Sequence, residues 1–275
     1  MSGAGLLVAL LLSSTGWESV PEARREAEVT QLRTQPLADR VVALSQAFIG
    51  TPYVLSPLGE GVGKDPDPLI RYDAVDCVTL VEEVMAMSLA PDAASRVEWL
   101  NRIRYSGEPA WETRNHIMEA QWLPKNLERG VVREVTRSYG GARTRSATKG
   151  LSASTWAEKS GVELALPEGV QPRGTFSLDL IPADDVLKAV GNAPSGLILV
   201  VVRADRPKAV TRVSHMGFLI QTPKGPVLRH ASKTFKKVAD EPLAHYLSRN
   251  LDYGKWTVEG VALFEVVEPD SLKAR

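Results

Sequence analysis

Apolar residues recur at Leu37, Val41, Leu44 and Phe48, a spacing that sets all four on one face of a helix. The run stops at Gly50-Thr51-Pro52, and the Gly-, Pro- and Asp-rich stretch from Leu55 to Pro68 reads as a loop. A mostly apolar helix follows over Asp76-Cys77-Val78-Thr79-Leu80-Val81-Glu82-Glu83-Val84-Met85-Ala86-Met87. Asp76 suits its N-cap, because a carboxylate accepts from the free N–H groups of a first turn, and Cys77 then sits in that turn. Pro91-Asp92 opens another helix, carrying Val97, Leu100 and Ile103. Upstream, Glu22 to Thr34 is charged and reads as a linker or an exposed helix.

The second half has a different pattern. Gly196 to Arg203 is a continuous apolar run, suited to a buried strand. Ser214 to Thr222, Pro226 to Ser232 and Val261 to Val267 are three more strands, and Ala244 to Arg249 is a short helix. Thr222-Pro223-Lys224-Gly225 is a turn signal that makes a hairpin of the second and third strands. Between the halves, about 105–182 has no clear period; it holds Trp111, Trp122 and Trp156 among polar residues and reads as an insertion with short elements. Helices first and an antiparallel sheet afterwards predict an α+β fold, with the Cys77 helix packed on the sheet. The expected organisation is a leader over 1–22 and one catalytic domain over 37–267.

Composition narrows the function. Hydrophobic residues make up 44% of the 275, enough for a core. Lys plus Arg equals Asp plus Glu, at 33 each, so no basic surplus favours nucleic acid. The apolar run from Gly5 to Ser14 is too short to span a bilayer and fits a secretory h-region, although no Lys or Arg precedes it; the other reading is the start of an N-terminal helix. With Cys77 as the single cysteine, no internal disulfide is possible. A lone cysteine is either a small buried hydrophobe or a nucleophile that needs a histidine elsewhere in the fold. A helix N-terminus favours the thiolate, so a depressed thiol pKa is expected at Cys77.

His215 and His230 lie on the two strands of the predicted hairpin. If Pro223 and Lys224 form a two-residue turn, Thr222 pairs with Gly225, Gly217 faces His230 and His215 faces Ser232. Both imidazoles then share a face as diagonal neighbours, about 7–8 Å apart at Cα, and Gly217 leaves room for the second ring. A three-residue loop would put them on opposite faces. One histidine then serves Cys77 as base while the other orients it. Zinc held by Cys77, His215 and His230 is an alternative, but no carboxylate base with metal-site spacing accompanies it. Glu82-Glu83 reads as a helix face rather than a catalytic dyad.

Phe48-Ile49-Gly50-Thr51-Pro52-Tyr53 followed by Asp76-Cys77-Val78-Thr79 resembles the opening and nucleophile motifs of NlpC-type cell-wall cysteine peptidases, which have a papain-like fold. Ser214-His215-Met216-Gly217-Phe218 resembles their base-bearing strand, and His230-Ala231-Ser232 the strand with the third, polar member. Within that clan, Asp76 to Glu82, Arg102-Ile103-Arg104-Tyr105, and Arg114-Asn115-His116 with Trp122 and Asn126 are similar to the N-acetylmuramoyl-L-alanine amidase-like branch. The resemblance runs from about residue 37 to 266 and is thinnest over Ser138 to Pro182. It implies Cys77 as nucleophile, His215 as base, His230 as orienter, and Tyr53 beside the nucleophile as a donor to the oxyanion. Tyr53, Asp76, Arg114, His116 and Trp122 make up the expected oxyanion and substrate-binding set. Arg114 with His116 would line a wall suited to peptide carboxylates. Trp111 and Trp122 would stack on a sugar or pack in the core.

The sequence departs from the clan at Val54-Leu55-Ser56, where an aromatic-glycine-glycine run is common, and at Val78-Thr79, where serine-glycine is typical. Both departures favour the amidase branch. The expected activity is hydrolysis of the lactyl–L-alanine amide of peptidoglycan fragments, without a cofactor. The expected partner is a muropeptide rather than nucleic acid or a membrane interior, and the expected location is the periplasm. Two alternatives stand: an inactive muropeptide-binding homologue, disfavoured by the retained Cys77, His215 and His230, and a papain-like acyltransferase acting through a thioester on lipid acyl groups. The latter calls for an apolar docking segment near the site, and the sequence shows none.

Overall fold

The computed structural model describes residues 17–159, 164, 166–251 and 256–269. The apolar run from Gly5 to Ser14 lies outside the described residues. The helices are α1 (Glu22–Leu32), α2 (Leu37–Ala47), α3 (Cys77–Leu89), α4 (Arg96–Arg104), α5 (Leu123–Glu128), α6 (Thr136–Gly140), α7 (Ala153–Ala157), α8 (Ala183–Val190) and α9 (Leu243–Leu251). The strands are β1 (Val132–Glu134), β2 (Arg145–Leu151), β3 (Gly174–Pro182), β4 (Leu197–Arg203), β5 (Val213–Thr222), β6 (Gly225–Ser232), β7 (Lys237–Pro242) and β8 (Val258–Val266). They form one antiparallel sheet in the order β2-β3-β8-β4-β5-β6-β7, with β1 also paired to β8. The fold is thus mixed α and β around an eight-stranded antiparallel sheet.

Helices cover both faces of that sheet, which explains the unbroken apolar run of β4. Its Ile198, Val200 and Val202 join the core built with α2 and α3, while Leu197, Leu199 and Val201 join the core under α8 and α9. Helix α3 is buried along nearly its whole length, from Thr79 to Leu89, so its apolar character is not confined to one stripe. Arg229 ties α2 to the β6–β7 edge. It is 3% exposed, grips Asp240 at 2.8 Å, and donates to the Val42 carbonyl at 3.1 Å and to Ser45 Oγ at 3.2 Å.

The stretch 105–182, expected as an insertion with short elements, takes part in the main sheet. It supplies β1 and β3, which lie against β8, and β2, which extends that edge. The charged segment after residue 22 is helix α1. Just before it, Trp17 is buried with Leu44 and Phe48 in the core, its indole N–H donating to the Leu44 carbonyl. Strand β7 and helix α8 were not anticipated. Among the described residues no helix is long and apolar enough to cross a membrane.

One buried acid makes the stability of this core depend on pH. Glu83 on α3 is completely buried, and burial pushes its carboxyl up to about 8 although the Arg104 guanidinium pulls the other way. A folded-state pKa above the unfolded one contributes stability that is present at low pH and lost as the pH rises through the folded value. Glu83→Gln mimics the protonated form. Its melting temperature should match that of the parent near pH 5 and exceed it increasingly towards pH 9; a constant difference across that range would show that Glu83 is ionised in the fold.

Candidate active site

Asp76 caps α3 through a complete capping box. Its Oδ1 accepts from the Val78 and Thr79 amides at 3.0 and 2.8 Å, and Thr79 Oγ1 accepts from the Asp76 amide at 2.8 Å. Its Oδ2 accepts from the Ser56 amide at 3.0 Å, so the cap also fastens the incoming loop. Cys77 follows at the first helical position, half-buried. The expected depressed thiol pKa is not found: burial, then the Asp76 charge, push it up to about 12, against the pull of the Met216, Cys77 and Val78 amides. Magnitudes give the reason. A helix terminus contributes about 0.3–1 kcal/mol to a nearby charge, up to about 2 in a partly buried site. Full desolvation shifts a pKa by as much as about 3–5 units, each worth about 1.4 kcal/mol.

The hairpin has the two-residue turn: Thr222 pairs with Gly225 and Phe218 with Arg229. The same register carried onwards brings Gly217 opposite His230. A Cβ on Gly217 would lie 2.5 Å from the Arg229 carbonyl oxygen and 2.9 Å from His230 Cβ, so the absent side chain is what lets the strands close here. His215 Nε2 lies 2.6 Å from His230 Nδ1, with the rings edge to face. Tyr246 of α9 stacks on His215 at 5.7 Å between centroids and meets His230 edge-on at 5.6 Å. Burial, then the neighbouring His230 ring and the Arg249 and Arg203 charges, hold the His215 pKa well below the ordinary imidazole value.

Behind the pair lies Glu241, on β7 and 1% exposed. Its Oε2 is 3.2 Å from His230 Nε2, and Arg249 grips it in a fork, Nε to Oε1 and Nη2 to Oε2, both at 2.7 Å. His245 Nδ1 lies 2.8 Å from Oε1. Burial disfavours the carboxylate, but the Arg249 fork and His230 outweigh it and hold the Glu241 pKa well below the usual range.

Cys77 and His215 line one cleft of about 260 Å³, with Ser56, Asp76, Arg114, His116 and Met216 among the other lining residues. Its floor holds Glu82, paired with Arg104 at 3.1 Å and accepting from the Trp122 indole at 2.8 Å; burial pushes this carboxyl up to about 7 against the opposing pull of Arg104. Trp122 ends one turn of π-helix over Met118–Trp122, a local form that recurs near functional sites.

The profile of the AmiA-like family, N-acetylmuramoyl-L-alanine amidase-like, matches residues 43–254. The chain belongs to this family. Solved structures share the fold. A Legionella pneumophila protein of family DUF1460 superposes with a TM-score of 0.75 at 23% identity, over 90% of this chain and 97% of that one. An N-acetylmuramoyl-L-alanine amidase of Bacteroides uniformis gives 0.66 at 22%, over 84% and 99%. A Bacteroides fragilis protein described as a putative xylanase gives 0.63 at 23%, over 81% and 99%. No protein of curated description matches.

In this AmiA-like chain the residues singled out from sequence do not all face the cleft. Cys77, His215, Asp76, Arg114 and His116 line it, with His230 directly behind His215. Tyr53 is half-buried, and burial, then the Cys77 and Asp76 charges, push its phenol up to about 12. Arg114 is not free for a substrate carboxylate: its Nε donates to Glu60 at 2.9 Å and its Nη2 to Asp65 at 2.8 Å, which braces the loop before Pro68. Trp122 is 1% exposed in the core, so sugar stacking is closed to it and it acts on the cleft only through Glu82. His116 donates from Nε2 to the Trp111 carbonyl at 2.7 Å, and burial holds its pKa down to about 4, so it is a neutral ring at pH 7.

Val54 and Leu55, just before the lining residue Ser56, and Phe235, 6.4 Å from the His230 ring centroid, are exposed large hydrophobics. Glu241, Tyr246 and Arg249 were missed. The 241, 245, 249 spacing of Glu241, His245 and Arg249 was the available signal, but an acid beside Asp240 in an unrecognised strand reads as surface.

Removing the Asp76 charge while keeping a capping oxygen tests what holds the thiol up. Asp76→Asn should speed alkylation of Cys77 by iodoacetamide at pH 8. It should cost about 1 kcal/mol of stability, because the Ser56 amide loses its acceptor. An unchanged alkylation rate would mean that burial alone sets the thiol.

Proposed function

We propose that the protein is a cysteine-dependent amidase that hydrolyses the N-acetylmuramoyl–L-alanine bond of peptidoglycan fragments. The observation that carries this reading is the meeting of Cys77, at the capped start of α3, with the bonded His215–His230 pair in one cleft. The Nε2 of His215 is engaged by His230, so its Nδ1 is the nitrogen left for the thiol. With the thiol raised and the imidazole lowered, the resting pair is neutral. The base therefore takes the proton as sulfur attacks, rather than before. The attack forms an S–C bond to the lactyl carbonyl. The Cys77 amide and the Tyr53 hydroxyl serve the oxyanion. Collapse breaks the C–N bond, and His215 returns the proton to the leaving L-alanine nitrogen. Water then hydrolyses the thioester, with His215 as its base.

The helix-on-sheet arrangement fits a papain-like, NlpC-type ancestry, and the family match and the B. uniformis amidase favour this bond over others. Such a substrate implies an exported, periplasmic protein, with residues 5–14 as its h-region and no cofactor required. Glycoside cleavage, raised by the neighbour described as a putative xylanase, is weaker. A glycosidase needs two available carboxyl groups flanking one bond. Of the acids lining this cleft, Asp76 spends both oxygens on the cap and the Ser56 amide, and Glu82 is spent on Arg104 and Trp122.

On defined muropeptides, Cys77→Ala should release no peptide while keeping the fold, since the change is small and at a helix end. His215→Gln should be equally inactive, because it removes the proton carrier. His230→Gln should keep measurable turnover, because an amide oxygen can still accept from His215. Near-normal release by Cys77→Ala would end the nucleophile assignment; an active His215→Gln with a dead His230→Gln would exchange the two histidine roles.

A further inference from the structure

We infer that Glu241 is a positioning residue that sets the tautomers of both histidines, so that His215 carries its proton on Nε2 and keeps the Nδ1 lone pair free. This rests on reading the cleft as a cysteine hydrolase, but it makes a claim about protons that is measurable without substrate.

The argument follows donors and acceptors outwards from Arg249. A guanidinium can only donate, so its fork onto Glu241, with both contacts at 2.7 Å, requires acceptor oxygens on the carboxyl group. Glu241 is therefore a carboxylate. His230 Nε2 faces Oε2 at 3.2 Å and must be the nitrogen that bears hydrogen. In a neutral imidazole the other nitrogen is then an acceptor. His230 Nδ1 thus accepts, and the 2.6 Å contact to His215 Nε2 is satisfied only if His215 donates. That leaves His215 Nδ1 unprotonated. A carboxylate behind the hairpin has fixed the protonation of a ring it does not touch.

The surroundings hold this arrangement in place. His230 and Glu241 are each 1% exposed, so water does not compete at their 3.2 Å contact. Tyr246 packs against both rings and limits their rotation. Among the charged groups facing the pair, Arg249 sits over the Tyr246 ring, 4.9 Å from its centroid, and Arg203 is held by Ser214 and Asn250 at 2.7 and 2.8 Å. His245 also meets Glu241, but its side chain is 61% exposed, so it is a peripheral partner.

Glu241→Gln is the informative substitution because it is nearly isosteric and leaves only one acceptor. Arg249 cannot give up its acceptor, so the amide oxygen stays with Arg249 and the NH₂ turns towards His230. His230 Nε2 must then accept, His230 Nδ1 must donate, and His215 is driven to the Nδ1–H form, which cannot take the thiol proton. Glu241→Asp keeps the charge and should keep the original tautomers. His116, whose Nε2 donates to the Trp111 carbonyl, is a built-in control for folding.

The experiment is a long-range ¹H–¹⁵N spectrum of full-length protein labelled at histidine, near pH 7.5, paired with kinetics on a defined muropeptide. Wild type should show His215 and His230 both as Nε2–H. Glu241→Gln should show both as Nδ1–H, with the His116 signals unmoved, and kcat should fall roughly 10²–10⁴-fold at nearly constant KM, the scale of a wrong tautomer behind a catalytic histidine. Glu241→Asp should retain Nε2–H on both rings and recover part of the rate. Wild-type His215 protonated on Nδ1, or His230 bearing hydrogen on both nitrogens, would overturn the inference, and neither observation needs a variant that folds. So would Glu241→Gln with unchanged tautomers. A wild type inactive on every muropeptide, with the predicted tautomers present, would instead sink the amidase reading and leave the relay standing.

Discussion

The pairing of Thr222 with Gly225 across Pro223-Lys224 sets the register of β5 against β6, and with it the face on which His215 and His230 stand. A strand has a period of two, so a slip of one residue would turn one imidazole away from the other. Gly217 is the second half of the same constraint. The carbonyl of Arg229 and the Cβ of His230 occupy the space where its side chain would be. The histidine pair, the Tyr246 stack and the Glu241 carboxylate are all aligned by this hairpin and by β7, which pairs with it at His230↔Ala239.

Around that frame the site is charge-rich, and loss of water around the thiol and the imidazole is the largest influence on their protonation. The thiol and the imidazole are both displaced towards their neutral forms. Buried acids here are met by donors: Arg249 for Glu241, Arg114 for Glu60, and backbone amides for Asp76. The Glu82–Arg104 pair under the floor and the π-helical turn that delivers Trp122 to it belong to the same economy of buried polar groups. The cleft thus favours a neutral imidazole at His215 beside a protonated thiol at Cys77.

Much of this was legible in the chain. The apolar run of β4, the cap at Asp76, the turn at Pro223-Lys224 and the shared face of the histidines follow from period, capping chemistry and turn chemistry. The rest depends on tertiary context. Strand β3 carries Phe176, Leu178 and Leu180 in alternation, but its partner β2 reads Arg145-Ser146-Ala147-Thr148-Lys149, which no apolar period betrays. Arg114 was expected to meet substrate because a guanidinium suits carboxylates; the carboxylates it meets are Glu60 and Asp65 of its own chain. Trp122 gives no local sign that it is buried. Glu241 looks like a surface acid until β7 turns it inward.

The central claim is that Cys77 attacks the lactyl carbonyl and holds the sugar side of the substrate. A single-turnover reaction with a monomeric N-acetylmuramoyl peptide, quenched in acid within milliseconds to seconds and weighed as intact protein, tests it directly. The account predicts a transient thioester on Cys77 whose added mass is the N-acetylmuramoyl acyl group, with the whole peptide, beginning at L-alanine, released alongside. Peptide release with no adduct on Cys77, or an adduct carrying peptide residues in place of the sugar alone, would contradict it.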